Sequence, residues 1–186
     1  AAGFSDVSDR YAEAVNYLVE KGITNGLTET TFGVSKEVKR GDAAVMIAKA
    51  LGLDGAGAPD AGFGDVPARA KEAVNALKEA GIFNGKSATN FGFNDTMTRG
   101  EMALVIAKAY KLEGDVTLKF TDVSDRYESA VKALVDNKIT TGKTETSFGT
   151  GDNITRGEFA IFLYRAEVPE TPPVVEVEGV SAIAAK

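Results

Sequence analysis

A threefold internal repeat decides what this chain can fold into. The stretch "GFSDVSDRYAEAVNYLVEKGITNGLTETTFG" at 3–33 returns as "KFTDVSDRYESAVKALVDNKITTGKTETSFG" at 119–149, and a more divergent copy, "GFGDVPARAKEAVNALKEAGIFNGKSATNFG", fills 62–92. Each copy runs on into one ending: "VKRGDAAVMIAKAL", "MTRGEMALVIAKAY" and "ITRGEFAIFLYRAE". Phe4 and Phe63 stand 59 residues apart, Phe63 and Phe120 stand 57 apart, and the length variation falls in the connectors "DGAGAPDAG" and "EGDVTLK".

Each copy reads as helix, loop, helix. Tyr11, Ala14, Val15, Leu18 and Val19 recur at helical spacing, as do Tyr127, Ala130, Val131, Leu134 and Val135. Ser8 or Asp9 suits the cap of this first helix, and Pro67 suits the first helical turn in copy two. Gly22 and Gly81 end the first two of these helices, whereas copy three has Lys138 there and is expected to close differently. The second helix offers Ala43, Ala44, Ile47, Ala50 and Leu51, matched by Met102, Ala103, Ile106, Ala109 and Tyr110, then by Phe159, Ala160, Leu163 and Ala166. Two amphipathic helices of about 12 residues each cannot bury a core alone, so the three copies must pack together. The expected units are 1–54, 60–113 and 117–167. Residues 168–186 read as a linker stiffened by Pro169, Pro172 and Pro173, leading into the first strand of a following domain.

The chain has neither cysteine nor histidine. Disulfides, thiolate nucleophiles, histidine bases and most transition-metal sites are thereby excluded, which leaves carboxylates, lysine, tyrosine and serine for chemistry. Acids are plentiful, but no pair stands in a distinctive setting for two-carboxylate hydrolysis. The reading is therefore not an enzyme, with no cofactor and no metal. "GDNITRGEF" superficially resembles the end of a calcium loop, but counting back places Ser147, Gly149 and Gly151 where carboxylates are required. A net charge of −6 repels nucleic acid and anionic membranes, so an anionic ligand must be held by local contacts. No run of about 18 apolar residues could insert in a membrane. The opening Ala1-Ala2-Gly3 has the small residues found around a signal-peptidase cut, which fits an exported protein.

One repeat position is electrostatically odd. Thr98 and Glu101 form a capping box, so a helix starts at Arg99 and places a guanidinium on the positive end of the helix dipole. Arg40 and Arg156 occupy the same position, each followed by glycine and an acid. Two readings are open. The arginine could tie the fold together by pairing with an acid, such as the aspartate of Phe-x-Asp-Val. Alternatively, the arginine fork and the helix-end N–H groups form a cradle for a carboxylate or phosphate. In copy one Lys39 replaces the capping threonine and adds a second cation, which favours the cradle. If the arginine serves ligand rather than fold, Arg99→Ala should leave the melting temperature nearly unchanged.

Asp6, Asp65 and Asp122 also recur, and an aspartate in a turn before a helix ordinarily accepts from backbone N–H groups. Gly26, Gly85 and Gly142 read as positive-φ turn residues whose bare backbone also admits a sugar. Tyr11 and Tyr127 are either core or a stacking platform for a sugar ring; Ala70 stands at this position in copy two, which therefore lacks the platform.

The recurring Phe-x-Asp-Val, the Asn-Gly loop, the Phe-Gly turn and the Thr-Arg-x-Glu helix start resemble the S-layer homology domain over roughly residues 3–167. The resemblance implies an all-α fold in which three motifs form a pseudo-threefold, three-pronged spindle around a central three-helix bundle, with grooves between adjacent motifs. It also implies non-covalent anchoring of an S-layer protein to the wall of a Gram-positive bacterium. The ligand implied is a secondary cell-wall polysaccharide linked to peptidoglycan, bound through pyruvylated N-acetylmannosamine, whose ketal supplies a carboxylate. Carried over by position, the ligand set is Arg40, Arg99, Arg156, Asp6, Asp65, Asp122, Gly26, Gly85, Gly142, Tyr11 and Tyr127, with Lys39 beside it. Lattice assembly would fall to domains outside this chain. The alternatives are a helical protein-interaction module and the anchor module of a wall-lytic enzyme.

Overall fold

The computed structural model describes residues 3–169. The expected linker and strand of 168–186 thus lie, from residue 170 onward, outside the described residues, as do Ala1 and Ala2. Six α-helices form among the described residues: α1 Asp9–Glu20, α2 Arg40–Leu51, α3 Lys71–Glu79, α4 Arg99–Ala109, α5 Asp125–Asp136 and α6 Arg156–Glu167. No strand forms among them. Only isolated antiparallel bridges join Glu37 to Thr155, Lys39 to Thr96 and Thr98 to Asn153.

Local chemistry sets the helix ends. Thr98 and Thr155 each accept from the third N–H of their helix, while Glu101 and Glu158 reach back to the cap N–H, so α4 and α6 carry complete capping boxes. Lys39 caps nothing with its side chain, and α2 begins without that support. Ser8 and Ser124 occupy the cap positions of α1 and α5 without a side-chain bond. In copy two Pro67 leads into a 3₁₀ turn, Ala68–Ala70, which delays α3 and leaves it 9 residues long against 12 for α1.

The closure of α5 corrects the sequence reading. Lys138 takes φ 64°, beside 73° at Gly22 and Gly81, and the same two bonds form: Lys138 N–H to Val135 O at 3.1 Å and Ile139 N–H to Leu134 O at 2.9 Å. Copy three ends its helix like the others, with a lysine in a conformation that costs a side-chain-bearing residue roughly 1 kcal/mol relative to glycine.

The first helix of each copy packs chiefly on the second helix of the copy before it: α3 on α2, α5 on α4, and α1 on α6. The last pairing closes the ring. The second helices meet at the centre, where α6 touches both α2 and α4. Burial follows from composition. The outer helix α1 buries one stripe, Ala14, Val15 and Leu18, whereas Phe159 through Leu163 of α6 are all buried, because an inner helix faces the axis on one side and its outer partner on the other. At one end Val38, Met97 and Ile154, each at most 1% exposed, meet where the segments preceding the inner helices bridge, with Val38 N–H donating to Ile154 O and Ile154 N–H to Met97 O. The fold is thus all-α, three prongs about a central bundle, and no copy has a core of its own.

Candidate functional site

The three arginines project from the first residues of α2, α4 and α6 into the loop of the next copy. Arg40 Nε donates to Phe91 O at 2.9 Å, Arg99 Nε to Phe148 O at 2.8 Å, and Arg156 Nε to Phe32 O at 3.0 Å. Each guanidinium also lies over the ring of that phenylalanine, at 5.1, 4.8 and 5.0 Å. Arg99 Nη1 pairs with Glu158 at 3.3 Å and Arg156 Nη1 with Asp42 at 3.7 Å. All three side chains are buried, at 6, 4 and 5% exposure. Burial lowers their pKa values from the ordinary arginine value, and the acids of the next helix start oppose this, Glu101 at Arg40, Glu158 at Arg99 and Asp42 at Arg156; the guanidinium remains charged.

The fold-tying reading therefore holds, but with another partner than expected. The arginine binds a main-chain carbonyl of the neighbouring copy, and the acid it meets belongs to the next helix start rather than to Phe-x-Asp-Val. Two of its N–H directions are engaged within the protein. Arg99 keeps Nη2 for anything beyond it, so a role in the fold and a role toward a ligand are compatible at one side chain.

The helix-end N–H groups are not free, which corrects the cradle as drawn from sequence. Arg99 N donates to Asp152 O at 2.8 Å, Gly100 N to Thr150 O at 3.0 Å and Glu101 N to Thr98 Oγ1 at 3.1 Å. Arg156, Gly157 and Glu158 repeat this with Lys36 O, Val34 O and Thr155 Oγ1, and Arg40 and Gly41 use Asp95 O and Phe93 O. Carbonyls of the adjacent loop reach the helix starts first, so any anion there must rely on side chains.

Asp6, Asp65 and Asp122 bind backbone, though not the turn beside them. Asp6 accepts from Phe32, Gly33 and Val34 N–H at 2.8, 2.7 and 3.2 Å, and Asp65 and Asp122 hold the equivalent trios at 91–93 and 148–150. Burial pushes each carboxyl up, but the N–H donors outweigh it and the net pKa lies below the ordinary value. The adjoining phenylalanine explains the glycines. A Cβ at Gly26, Gly85 or Gly142 would run into the ring of Phe4, Phe63 or Phe120. Gly26 and Gly142 have φ of 88° and 92°, but Gly85 is not in the left-handed region, so close packing is what all three share. Their bare face is covered by a ring of the same copy.

Tyr11 and Tyr127 lie against helix starts of the neighbouring copy: a Cβ at Gly157 would stand 2.8 Å from Tyr11 Cε1, and one at Gly100 would stand 3.0 Å from Tyr127 Cε1. Arg10 and Arg126 cover these rings at 5.3 and 5.2 Å. Copy two does not lack the aromatic. Phe93 occupies the place at Gly41 that Ala70 leaves, and Arg69 covers it at 5.5 Å.

A cavity of about 240 Å³ opens at Arg99. Its wall carries four cationic side chains, Arg10, Arg99, Lys143 and Arg165, against one carboxylate, Glu158, with Thr140, Thr141 and Gly142 forming its floor. Two of the cations are held in place: Lys143 by Asp152 at 3.1 Å, and Arg165 by its Nη1 bond to Ile139 O at 2.9 Å. In copy two Phe83 stands where copy three has Thr140. Phe83 is 2% exposed and its ring lies 5.0 Å from the Arg40 guanidinium, which also donates to Asn84 O at 2.9 Å. Arg40 is thus stacked on and bonded to its loop where Arg99 faces a cavity. At Arg156 the loop residue matching Lys143 is Leu27, exposed and apolar. Lys39 is exposed and does not line the Arg99 cavity. Sequence reading missed Arg10, Lys143, Glu158 and Arg165; the recurrence of Arg10, Arg69 and Arg126 at the repeat offsets was the available signal.

The S-layer homology domain model matches the chain three times, at residues 3–44, 62–103 and 119–160. The chain belongs to that family. It is 35% identical over 190 residues to the surface-layer 125 kDa protein of Lysinibacillus sphaericus, covering 96% of this chain and 16% of that protein. It is 30% identical to an uncharacterized cell wall amidase of Bacillus anthracis over 89% of this chain and 32% of the amidase, and 31% identical to an endoglucanase of a Bacillus strain over 77% of this chain and 16% of the enzyme. The chain spans less than a third of the length of each of these relatives.

Proposed function

We propose that this module anchors a surface protein to the bacterial cell wall by binding a carboxylate-bearing wall polysaccharide at Arg99. The observation that carries the reading is the cationic wall of the Arg99 cavity: Arg10, Arg99, Lys143 and Arg165 line it against Glu158, with Asp152 paired to Lys143, in a chain whose net charge is −6. A bare phosphate or carboxylate would be repelled at long range and held only at short range, as the ligand of an acidic surface protein must be. Pyruvylated N-acetylmannosamine, on a polymer linked to peptidoglycan, combines such a carboxylate with hydroxyls and an acetamido group. Arg99 Nη2 takes the carboxylate, Arg10 and Lys143 neutralise it, and the Thr140–Gly142 backbone faces the sugar. No bond is made or broken. Aspartates 6, 65 and 122 serve by holding the loops that the arginines bind, so their contribution to recognition is indirect.

The family match and the surface-layer and wall-enzyme relatives support placement at the wall of a Gram-positive bacterium. A second reading, anchor of a wall-lytic enzyme, rests on the amidase relative and differs only in the domain that the module would hold at the wall. Capture by native wall polysaccharide, set beside capture by the same polymer stripped of pyruvate, tests the proposal. Binding to the native polymer alone is expected; equal binding to both contradicts the carboxylate.

A further inference from the structure

A larger cavity, about 900 Å³, lies beside the first, between α1, α6, the connector at 117–120 and the copy-three loop. The two share Thr140, Thr141 and Arg165 in their walls, so they lie side by side. Its lining is amphipathic: Lys119, Lys138 and Arg165 supply cations, Glu13 and Glu145 acids, and Phe120 and Tyr164 ring surface.

Comparison of the copies shows this lining to be particular to copy three. Lys138 stands where copies one and two have Gly22 and Gly81, Lys119 where they have Gly3 and Gly62, and Tyr164 where they have Ala48 and Ala107. Lys138, like Lys111 after α4 at φ 53°, keeps a left-handed backbone, φ 64°, that glycine adopts in the other copies without penalty. The Lys138 side chain is exposed and lies outside the hydrophobic core. What it adds is an ammonium on the rim of the cavity.

We infer that this second cavity is an extended subsite for the same chain of sugars, taking the residues next to the one held at Arg99. Lys138 and Lys119 meet anionic or hydroxyl groups of the neighbouring units, and Tyr164, tilted against Tyr17 at 5.2 Å and so fixed in orientation, offers ring surface to a sugar. The inference rests on the polysaccharide reading of the Arg99 site. It differs from simple repetition of one site around the pseudo-threefold axis, because the subsite extends a single site along the polymer and uses Lys119, Lys138 and Tyr164, which the other copies replace with glycine, glycine and alanine.

The test uses two probes, a methyl glycoside of pyruvylated N-acetylmannosamine and the polysaccharide released from Lysinibacillus sphaericus walls, each titrated calorimetrically into the whole chain. In the Lys119→Gly/Lys138→Gly variant the monosaccharide should bind as in the parent, while polysaccharide affinity falls roughly three- to tenfold, as two exposed charge contacts allow. The melting temperature should hold or rise, because the strained position is relieved. Arg99→Ala should weaken both probes, with Arg99→Lys as the variant that keeps the charge if the alanine form melts. Unchanged polysaccharide affinity in the double variant, alongside a loss in the Arg99 variants, overturns the subsite and leaves the Arg99 reading intact. Undiminished binding in both Arg99 variants removes that reading, and the subsite with it.

Discussion

Arg99 and Arg40 are one repeat position in two settings. Both arginines leave the first residue of an inner helix, donate through Nε to the phenylalanine carbonyl of the next copy, and lie over that ring. They part in the loop that each guanidinium faces, Thr140-Thr141 at Arg99 and Phe83-Asn84 at Arg40. Thr140 leaves space beside Arg99, and four cations look into it; Phe83 fills the equivalent space, and Arg40 gives its second bond to Asn84 O. The shared features build the ring of copies, and we propose that the differing loop governs whether the guanidinium is also available to a ligand. On that proposal a repeat keeps an arginine at every copy for assembly while binding resides at only some of its positions.

The largest effect separates these two layers. Arg99→Ala and Arg40→Ala each leave a loop carbonyl without its donor, and the first also leaves Glu158 half-buried without its partner, so each should lose about 2–4 kcal/mol in urea denaturation. Binding to wall polysaccharide should collapse in the first variant and persist in the second. A loss of this size follows from the fold-tying reading; the ligand-only reading expected a melting temperature nearly unchanged.

Acid should come next. The folded chain holds Asp6, Asp65 and Asp122 below the ordinary value of 3.8, so the unfolded chain takes up protons first. Their stabilisation is complete above that value and is lost as pH falls through the lowered folded values. With no histidine present, thermal melting followed by circular dichroism should be flat between about pH 5 and 8. A transition within that window would show a titrating group that the turn chemistry does not contain.

The smallest effect concerns copy one. Lys39→Thr restores the side-chain cap that α4 and α6 have and α2 lacks, and should stabilise the chain by about 1 kcal/mol in the same urea experiment. Polysaccharide binding should not change, since Lys39 lies outside the Arg99 cavity. A drop in affinity would return the lysine to the ligand site.

The six helices, the capping box of α4 and the need for three copies to pack together were legible because they depend on local periodicity and on residues three or four apart. The pairing of helices between copies was not: α1 meets α6 across almost the whole chain, and only the closed ring explains it. At the site, the recurrence of Arg40, Arg99 and Arg156 was visible, but their acceptor was not, since a main-chain oxygen carries no mark in sequence. Free helix-end N–H groups were a fair inference from a single helix and fail because the neighbouring copy supplies carbonyls. Phe83 and Thr140 could have been compared at the repeat offset; without the fold nothing said that they face the arginine.

Thr140 beside Arg99 and Phe83 beside Arg40 occupy one loop position, and a reciprocal exchange tests what that position does. Thr140→Phe and Phe83→Thr are titrated with pyruvylated N-acetylmannosamine by calorimetry, each checked by its melting curve. Thr140→Phe should stay folded and lose binding at Arg99, while Phe83→Thr, less stable by roughly 2–4 kcal/mol, should gain a site at Arg40. Full binding by a folded Thr140→Phe variant would contradict the assignment of the open site to that loop position.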